Sequence, residues 1–194
     1  MTVLAFCGVG ALGSTAVTFC RNLAATLRVV DFDRVESKNL LAQAFVKPSV
    51  GKNKAEALKL QFMNFYGIKV EAFGVRLVEN NLDAVLGSAD LLIDCFDNQQ
   101  SRTLLSAYAR RTAKPLLHAA LAGDGRYGIV RWDERFVADA EDTAGQATCE
   151  GGEHLPLIGV LGATVARTIQ DFLESGERRD SMISLNGVQE TASS

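Results

Sequence analysis

Glycines at positions 8, 10 and 13 follow a short apolar run, residues 3–6, and lead directly into a stretch with helical spacing. A strand that turns through glycine straight into a helix belongs to few folds. The reason is mechanical. The first glycine permits a tight turn, the second lets a ligand approach the backbone, and the third lets the helix lie close on the strand. A helix is predicted over 11–25, with Leu12, Ala16, Phe19, Cys20 and Leu23 on its apolar face. Its N-terminus presents unpaired N–H groups and roughly half a positive charge, so the turn reads as a phosphate cradle. The plainer alternative is a tight turn with no ligand.

The rest of the chain alternates strands with helices. Residues 27–32 form a continuous β-branched run of the kind buried on both faces of a parallel sheet. Residues 33–50 are polar and interrupted, a loop with one irregular helical turn. A helix is predicted over 52–66, with Ala55, Leu58, Phe62 and Phe65 in register and Gly67 as its stop. A strand follows over 69–77, a short helix over 81–86, a central strand over 89–95, a helix over 99–112 and a strand over 114–121. Residues 127–132 continue the sheet, antiparallel because the turn at Gly123-Asp124-Gly125 is short. Residues 136–153 read as a crossing loop. The helix over 155–173 is apolar enough to pack on the sheet or on a second subunit. An edge strand over 182–185 and a disordered tail over 188–194 complete the reading. The expectation is an α/β fold in one domain, residues 1–187. Its open, mostly parallel Rossmann-like sheet carries helices on both faces and is extended by antiparallel strands near the C-terminus.

Composition narrows the function classes. The 194 residues fit one domain, and a formal net charge of −3 with no basic stripe argues against a nucleic-acid partner. No apolar run approaches the ~18 residues of a membrane span and no signal segment stands at the start, so no membrane partner and a cytoplasmic location are expected. Cys7, Cys20, Cys95 and Cys149 lie far apart with no CxxC pair, as reduced thiols do.

Two acids, Asp31 and Asp33, stand where the second strand should end. Asp31 comes eighteen residues after Gly13, the place from which a carboxylate can hydrogen-bond ribose hydroxyls. To that point the chain suits NAD equally well. Downstream it offers a lysine, Lys54, that could face a triphosphate, and an acid, Asp97, after the fourth strand. A dehydrogenase needs neither.

Five segments, GVGALG at 8–13, DFDRVESKNLLAQ at 31–43, GKNKAE at 51–56, DCFDNQQSR at 94–102 and CEGGEHLPLIGVLG at 149–162, resemble in order and spacing the ThiF/MoeB/HesA adenylyltransferases of the ubiquitin-activating superfamily. The resemblance implies ATP-dependent activation of the C-terminal glycine carboxylate of a ubiquitin-like or sulfur-carrier protein, with Mg²⁺, in a homodimer. Carried over by position, Gly8, Gly10 and Gly13 approach the phosphates, Asp31 and Asp33 belong to the nucleotide pocket with Asp31 on the ribose, Asn39 and Lys54 contact phosphates, and Asp97 binds the metal. Gln43 and Arg102 shape the same pocket. Cys149 matches a cysteine that some relatives use in a persulfide, acyl-disulfide or thioester step, and His154 could act on it. The bland readings are that Lys54 is a solvated helix residue, that Asp97-Asn98 is a helix cap, and that His118 is satisfied in the core. The chain departs from the pattern at Ala42, where the N-L-x-R-Q signature has arginine, and it lacks the paired CxxC motifs for zinc. Lys38, Lys52 or a partner chain is expected to make good the charge missing at Ala42. Two alternatives stay open: a non-catalytic scaffold that binds a nucleotide or ubiquitin-like protein, which Ala42 favours, and an NAD(P)-dependent oxidoreductase.

Overall fold

The computed structural model describes residues 1–136 and 152–191. The first strand, β1 (Thr2–Cys7), lies between β2 (Ala25–Val30) and β4 (Leu91–Asp94); β3 (Val70–Phe73) flanks β2, and β5 (Leu116–Leu121) flanks β4. These five strands are parallel. Three more, β6 (Tyr127–Trp132), β7 (Asp180–Ser184) and β8 (Gly187–Thr191), extend the sheet antiparallel from β5. The expected α/β architecture is thus present, with the antiparallel extension on the C-terminal side.

Both faces of β1 are buried, which explains why its sequence does not alternate. Leu4 and Phe6 join one core with residues of α1 (Ala11–Phe19), α2 (Lys54–Tyr66) and α5 (Leu155–Ser175). Ala5 and Cys7 join the other with residues of α3 (Leu82–Leu86) and α4 (Gln99–Thr112). α5 packs against α1 so closely that a Cβ on Gly162 would stand 2.8 Å from Thr15 Cγ2. Its apolar face is therefore used inside the protomer, on α1 and the sheet. Asn53 caps α2 by accepting from the Glu56 N–H at 3.1 Å, and Gly67 ends it at φ 67°.

Several boundaries differ from the sequence reading, and four of them have a clear local cause. Helix α1 stops at Phe19 because Cys20 donates back to Ala16 and Val17 and the chain must turn within 20–24 for Ala25 to pair with Thr2. β3 ends at Phe73, four residues early, because its last ladder partner, Val30, ends β2. α2 begins at Lys54 rather than at 52. Finally, Gly187–Thr191, expected within or beside a disordered tail, pairs with β7 as β8. The two-residue turn is Leu185-Asn186, with Ser184 opposite Gly187; the missed signal was the neighbouring Asn186-Gly187, a turn-prone dipeptide one residue further on.

A buried arginine sits in the parallel half. Arg28 in β2 donates to Glu71 at 2.8 Å, to the Val85 carbonyl at 2.7 Å and to Ser88 at 3.0 Å. Arg28→Ala should lower the unfolding free energy by about 2–3 kcal/mol, since a carbonyl loses its donor and the aliphatic stem leaves a void. Denaturant unfolding measures this, and a loss below about 0.5 kcal/mol would show that the network contributes nothing net.

Candidate functional site

The strand order reverses at β1, whose successor β2 lies on one side while β4 lies on the other. Open parallel sheets bind ligands in the crevice beyond the carboxyl ends of strands at such a point. The three glycines fill that crevice with distinct jobs. Gly8 has φ +85°, and a Cβ there would lie 3.0 Å from the Cys95 carbonyl oxygen and from the Phe96 ring. At Gly13 a Cβ would fall 2.0 Å from the Gly8 oxygen. Around Gly10, by contrast, no atom of the described residues beyond its own chain neighbours and helix backbone lies within 4 Å of such a Cβ. Two glycines thus close the turn and the third leaves it open, at the first turn of α1, where the N–H groups have no helical acceptor.

Asp31 ties this turn to the end of β2. Its Oδ2 accepts from the Val9 N–H and its Oδ1 from the Asp33 N–H, both at 2.8 Å. The residue is 8% exposed. Burial pushes its carboxyl above the usual range, and the two amides and Lys54 pull only part of the way back. A carboxyl raised in the folded state binds its proton more tightly there than in the unfolded chain. Its contribution to stability is therefore full below about pH 4, the unfolded value, and is lost as pH rises through the folded value. Unfolding free energies of wild type and Asp31→Asn, measured between pH 3.5 and pH 7 (a range chosen from about the unfolded value upward), should diverge in that sense. A difference that is flat or slopes the other way would contradict the assignment.

The polar segment after Asp31 wraps this core of the site. Lys54 donates its own N–H to the Asp33 carbonyl at 2.8 Å, and its Nζ lies 3.5 Å from Asp33 Oδ2. The Lys54 side chain is only 10% exposed, so it is not the solvated surface lysine of the plain reading. Asn39, on the 3-10 turn Ser37–Leu41, is buried; its Oδ1 accepts from the Glu36 N–H at 2.8 Å. Gln43 follows, and its buried Oε1 meets no hydrogen-bond donor among the described residues. Ser14, fully buried on α1, holds the segment down by accepting from the Ala44 N–H at 3.0 Å. Sequence reasoning passed over Ser14 because a serine in the first helical turn looks like any other. Ala42 is 1% exposed, so the position where arginine was expected carries a methyl group closed to solvent. Lys38 pairs with Glu36 at 3.6 Å, and Lys52 is exposed.

On the other side of β1, Asn98 caps α4 by accepting from the Ser101 N–H at 2.9 Å. The capping role thus falls to Asn98, and Asp97 remains exposed with a 3.4 Å contact from Asn98 Nδ2. The Phe96 peptide just before it is gripped at both ends. Asp94, fully buried, accepts the Phe96 N–H at 2.9 Å, and Arg102 Nε donates to the Phe96 carbonyl at 2.8 Å. Arg102 serves this loop through backbone. The Phe96 ring against Gly8 joins the Asp97 loop to the glycine turn.

Gly8 and Gly13 touch each other, Asp31, Asp33 and Lys54 are linked in turn and reach the glycine turn through the Val9 amide, and Gly10, Asn39, Gln43 and Asp97 join through the segments that carry them. Cys149 lies outside the described residues. The His154 ring lies against Gly125, where a Cβ would fall 2.1 Å from it. His118 is buried and fully engaged. Cys7, Cys20 and Cys95 are free thiols, and burial pushes Cys20 up to about 12, which leaves it unreactive near neutral pH. No helix among the described residues is long and apolar enough to cross a membrane.

The ThiF family model matches residues 3–187. The adenylyltransferase and sulfurtransferase UBA4 of Lodderomyces elongisporus is 29% identical over 171 residues, which cover 82% of this chain and 37% of that protein. The sulfur carrier protein adenylyltransferase of Thermus thermophilus is 38% identical over 96 residues, 48% of this chain and 35% of that protein. The chain therefore spans well under half the length of these relatives. Among solved structures, E. coli MccB with ATP shares the fold at a TM-score of 0.77 and 16% identity, covering 99% of this chain and 63% of that one.

Proposed function

The chain belongs to the ThiF family, and on that premise we propose that it uses ATP to adenylate the C-terminal glycine carboxylate of a ubiquitin-like or sulfur-carrier protein. The observation that carries the reading is Lys54: a nearly buried ammonium, aimed by Asp33 at 3.5 Å, beside a glycine turn that is open at Gly10 alone. A dehydrogenase has no use for that charge, whereas a triphosphate does. The printed names of the relatives, adenylyltransferases acting with sulfur transfer or on a sulfur carrier, support the same reading.

The chemistry asks for little beyond positioning and charge. A glycine carboxylate is ionised near neutral pH, so no general base is required. One of its oxygens attacks the α-phosphorus of ATP, the bond from that phosphorus to the β-phosphate bridging oxygen breaks, and pyrophosphate leaves with the electron pair. Two anions must approach each other. A unit charge 4 Å away is worth ~1 kcal/mol in water but ~4 kcal/mol at an effective dielectric near 20, so an ammonium held out of solvent acts strongly. Asp31 holds the ribose, the N–H groups of the first turn of α1 hold phosphate, and Asn39 and Lys54 face the triphosphate. Gln43 Oε1 offers a buried acceptor to a donor on the nucleotide.

Among the described residues no three His, Cys, Asp or Glu side chains cluster as a protein-built metal cage. Magnesium is commonly held by one or two carboxylates together with substrate phosphates, and Asp97, exposed and not spent on capping, fits that role. An ion held there would offset charge on the departing pyrophosphate.

Isotope exchange between ATP and pyrophosphate, run with carrier proteins ending in Gly-Gly, tests the proposal; exchange that depends on the carrier is expected. Stabilisation by NAD or NADP but not by Mg·ATP in a thermal-shift assay would refute it. Ala42, buried where a phosphate-binding arginine was expected, favours a second reading as a nucleotide-binding scaffold, which tight ATP binding without exchange would establish.

A further inference from the structure

We propose that His118 is a positioning residue for Asp97, a reading that rests on the function proposed above. His118 lies on β5, fully buried, with both ring nitrogens committed: Nδ1 is 2.7 Å from Asp94 Oδ2 and Nε2 is 3.0 Å from Asp133 Oδ1. Phe136 stacks on the ring at a centroid distance of 3.8 Å and 12° between planes. Asp133 is anchored in turn by Arg110 Nε at 2.6 Å and by the Ser106 hydroxyl. Both residues are on α4, the helix whose N-terminal approach carries Asp97.

The chain of contacts ends at the two peptides that flank one residue. Asp94 gives one oxygen to His118 and the other to the Phe96 N–H, while Arg102, 3.9 Å from Asp94 Oδ2, closes on the Phe96 carbonyl. Phe96 is the residue before Asp97, and its ring bears on Gly8. An Asp–His–Asp row inside a protein is costly to desolvate, and apolar residues of the same volume would fill the space as well or better. The row is explained by what it fixes: a buried carboxylate turned so that one face grips the loop backbone. Held in this way, Asp97 meets the nucleotide from a set distance, which is the preorganisation that charge stabilisation requires.

The test measures binding of α,β-methylene ATP by calorimetry with and without Mg²⁺, beside amide hydrogen exchange and exchange kinetics. His118→Leu should lose about tenfold in affinity with Mg²⁺ and less than about twofold without it, raising KM for Mg·ATP more than it lowers kcat. Amides at 96–98 should exchange faster while those of β1 keep their protection. Asp133→Ala should show a weaker form of the same pattern and carries the comparison if His118→Leu does not fold. Asp133→Asn, which still offers His118 a hydrogen bond, should restore wild-type behaviour within about twofold. Equal losses with and without Mg²⁺, or faster exchange spread over the whole sheet, would reduce His118 to a core residue and overturn the proposal. A magnesium gain present in the wild type and kept in full by His118→Leu overturns it alone; no gain in the wild type removes the adenylation reading as well.

Discussion

Alanine at position 97 is expected to lower ATP–pyrophosphate exchange by about 10²- to 10³-fold, the loss typical when one preorganised charge-stabilising group is removed. The fold should not feel the change. Asp97 is exposed and Asn98 supplies the cap of α4, so stability should stay within about 0.5 kcal/mol. The loss should also be selective: ATP binding without Mg²⁺ should survive, because the glycine turn, Asp31 and Lys54 lie on the other side of the crevice. Exchange at wild-type rate would place the metal on some other group and remove Asp97 from the site. Asp97→Asn, which keeps an oxygen but loses the charge, should fall between the two.

The second large effect concerns the turn itself. Gly13→Ala should cost about 3 kcal/mol or more, at or beyond the upper range for overpacking, because the added methyl would lie 2.0 Å from a backbone oxygen that has nowhere to go. Gly10→Ala should do the reverse. With no atom of the described residues beyond its chain neighbours and helix backbone within 4 Å, its methyl points into the space assigned to phosphate, so stability should change by less than about 1 kcal/mol while affinity for Mg·ATP falls at least about tenfold. Denaturant unfolding and nucleotide titration on the same two variants separate the effects. Were Gly10→Ala to bind Mg·ATP as the wild type does, the phosphates would not lie against this turn.

Much of this was legible in the residues. The apolar runs at 3–6 and 89–95 were legible as a first and a central strand, and the glycine spacing located the turn from the first strand into α1. The edges of elements were less readable, since β2 begins at Ala25 through its pairing with Thr2, a partner that no local signal reveals. Asp31 was read as a ribose ligand; the structure adds that it first organises the protein, taking the amides of Val9 and Asp33. Lys54 was legible as a candidate but not as a buried one, because only tertiary packing tells a solvated helix lysine from one held by Asp33. The Asp94–His118–Asp133 row was illegible in principle. Its members stand 24 and 15 residues apart, and no periodicity connects two strands and the turn that follows β6.

The central place of β1 bears on how the chain comes to fold. Leu4 pairs with Leu27 on one side and with Leu91 on the other, so β1 waits for β4, which follows much later in the sequence, before its second edge is covered. Closing so long a loop is slow. Until it closes, the apolar edge of β1 is a part of the folding protein open to wrong pairing.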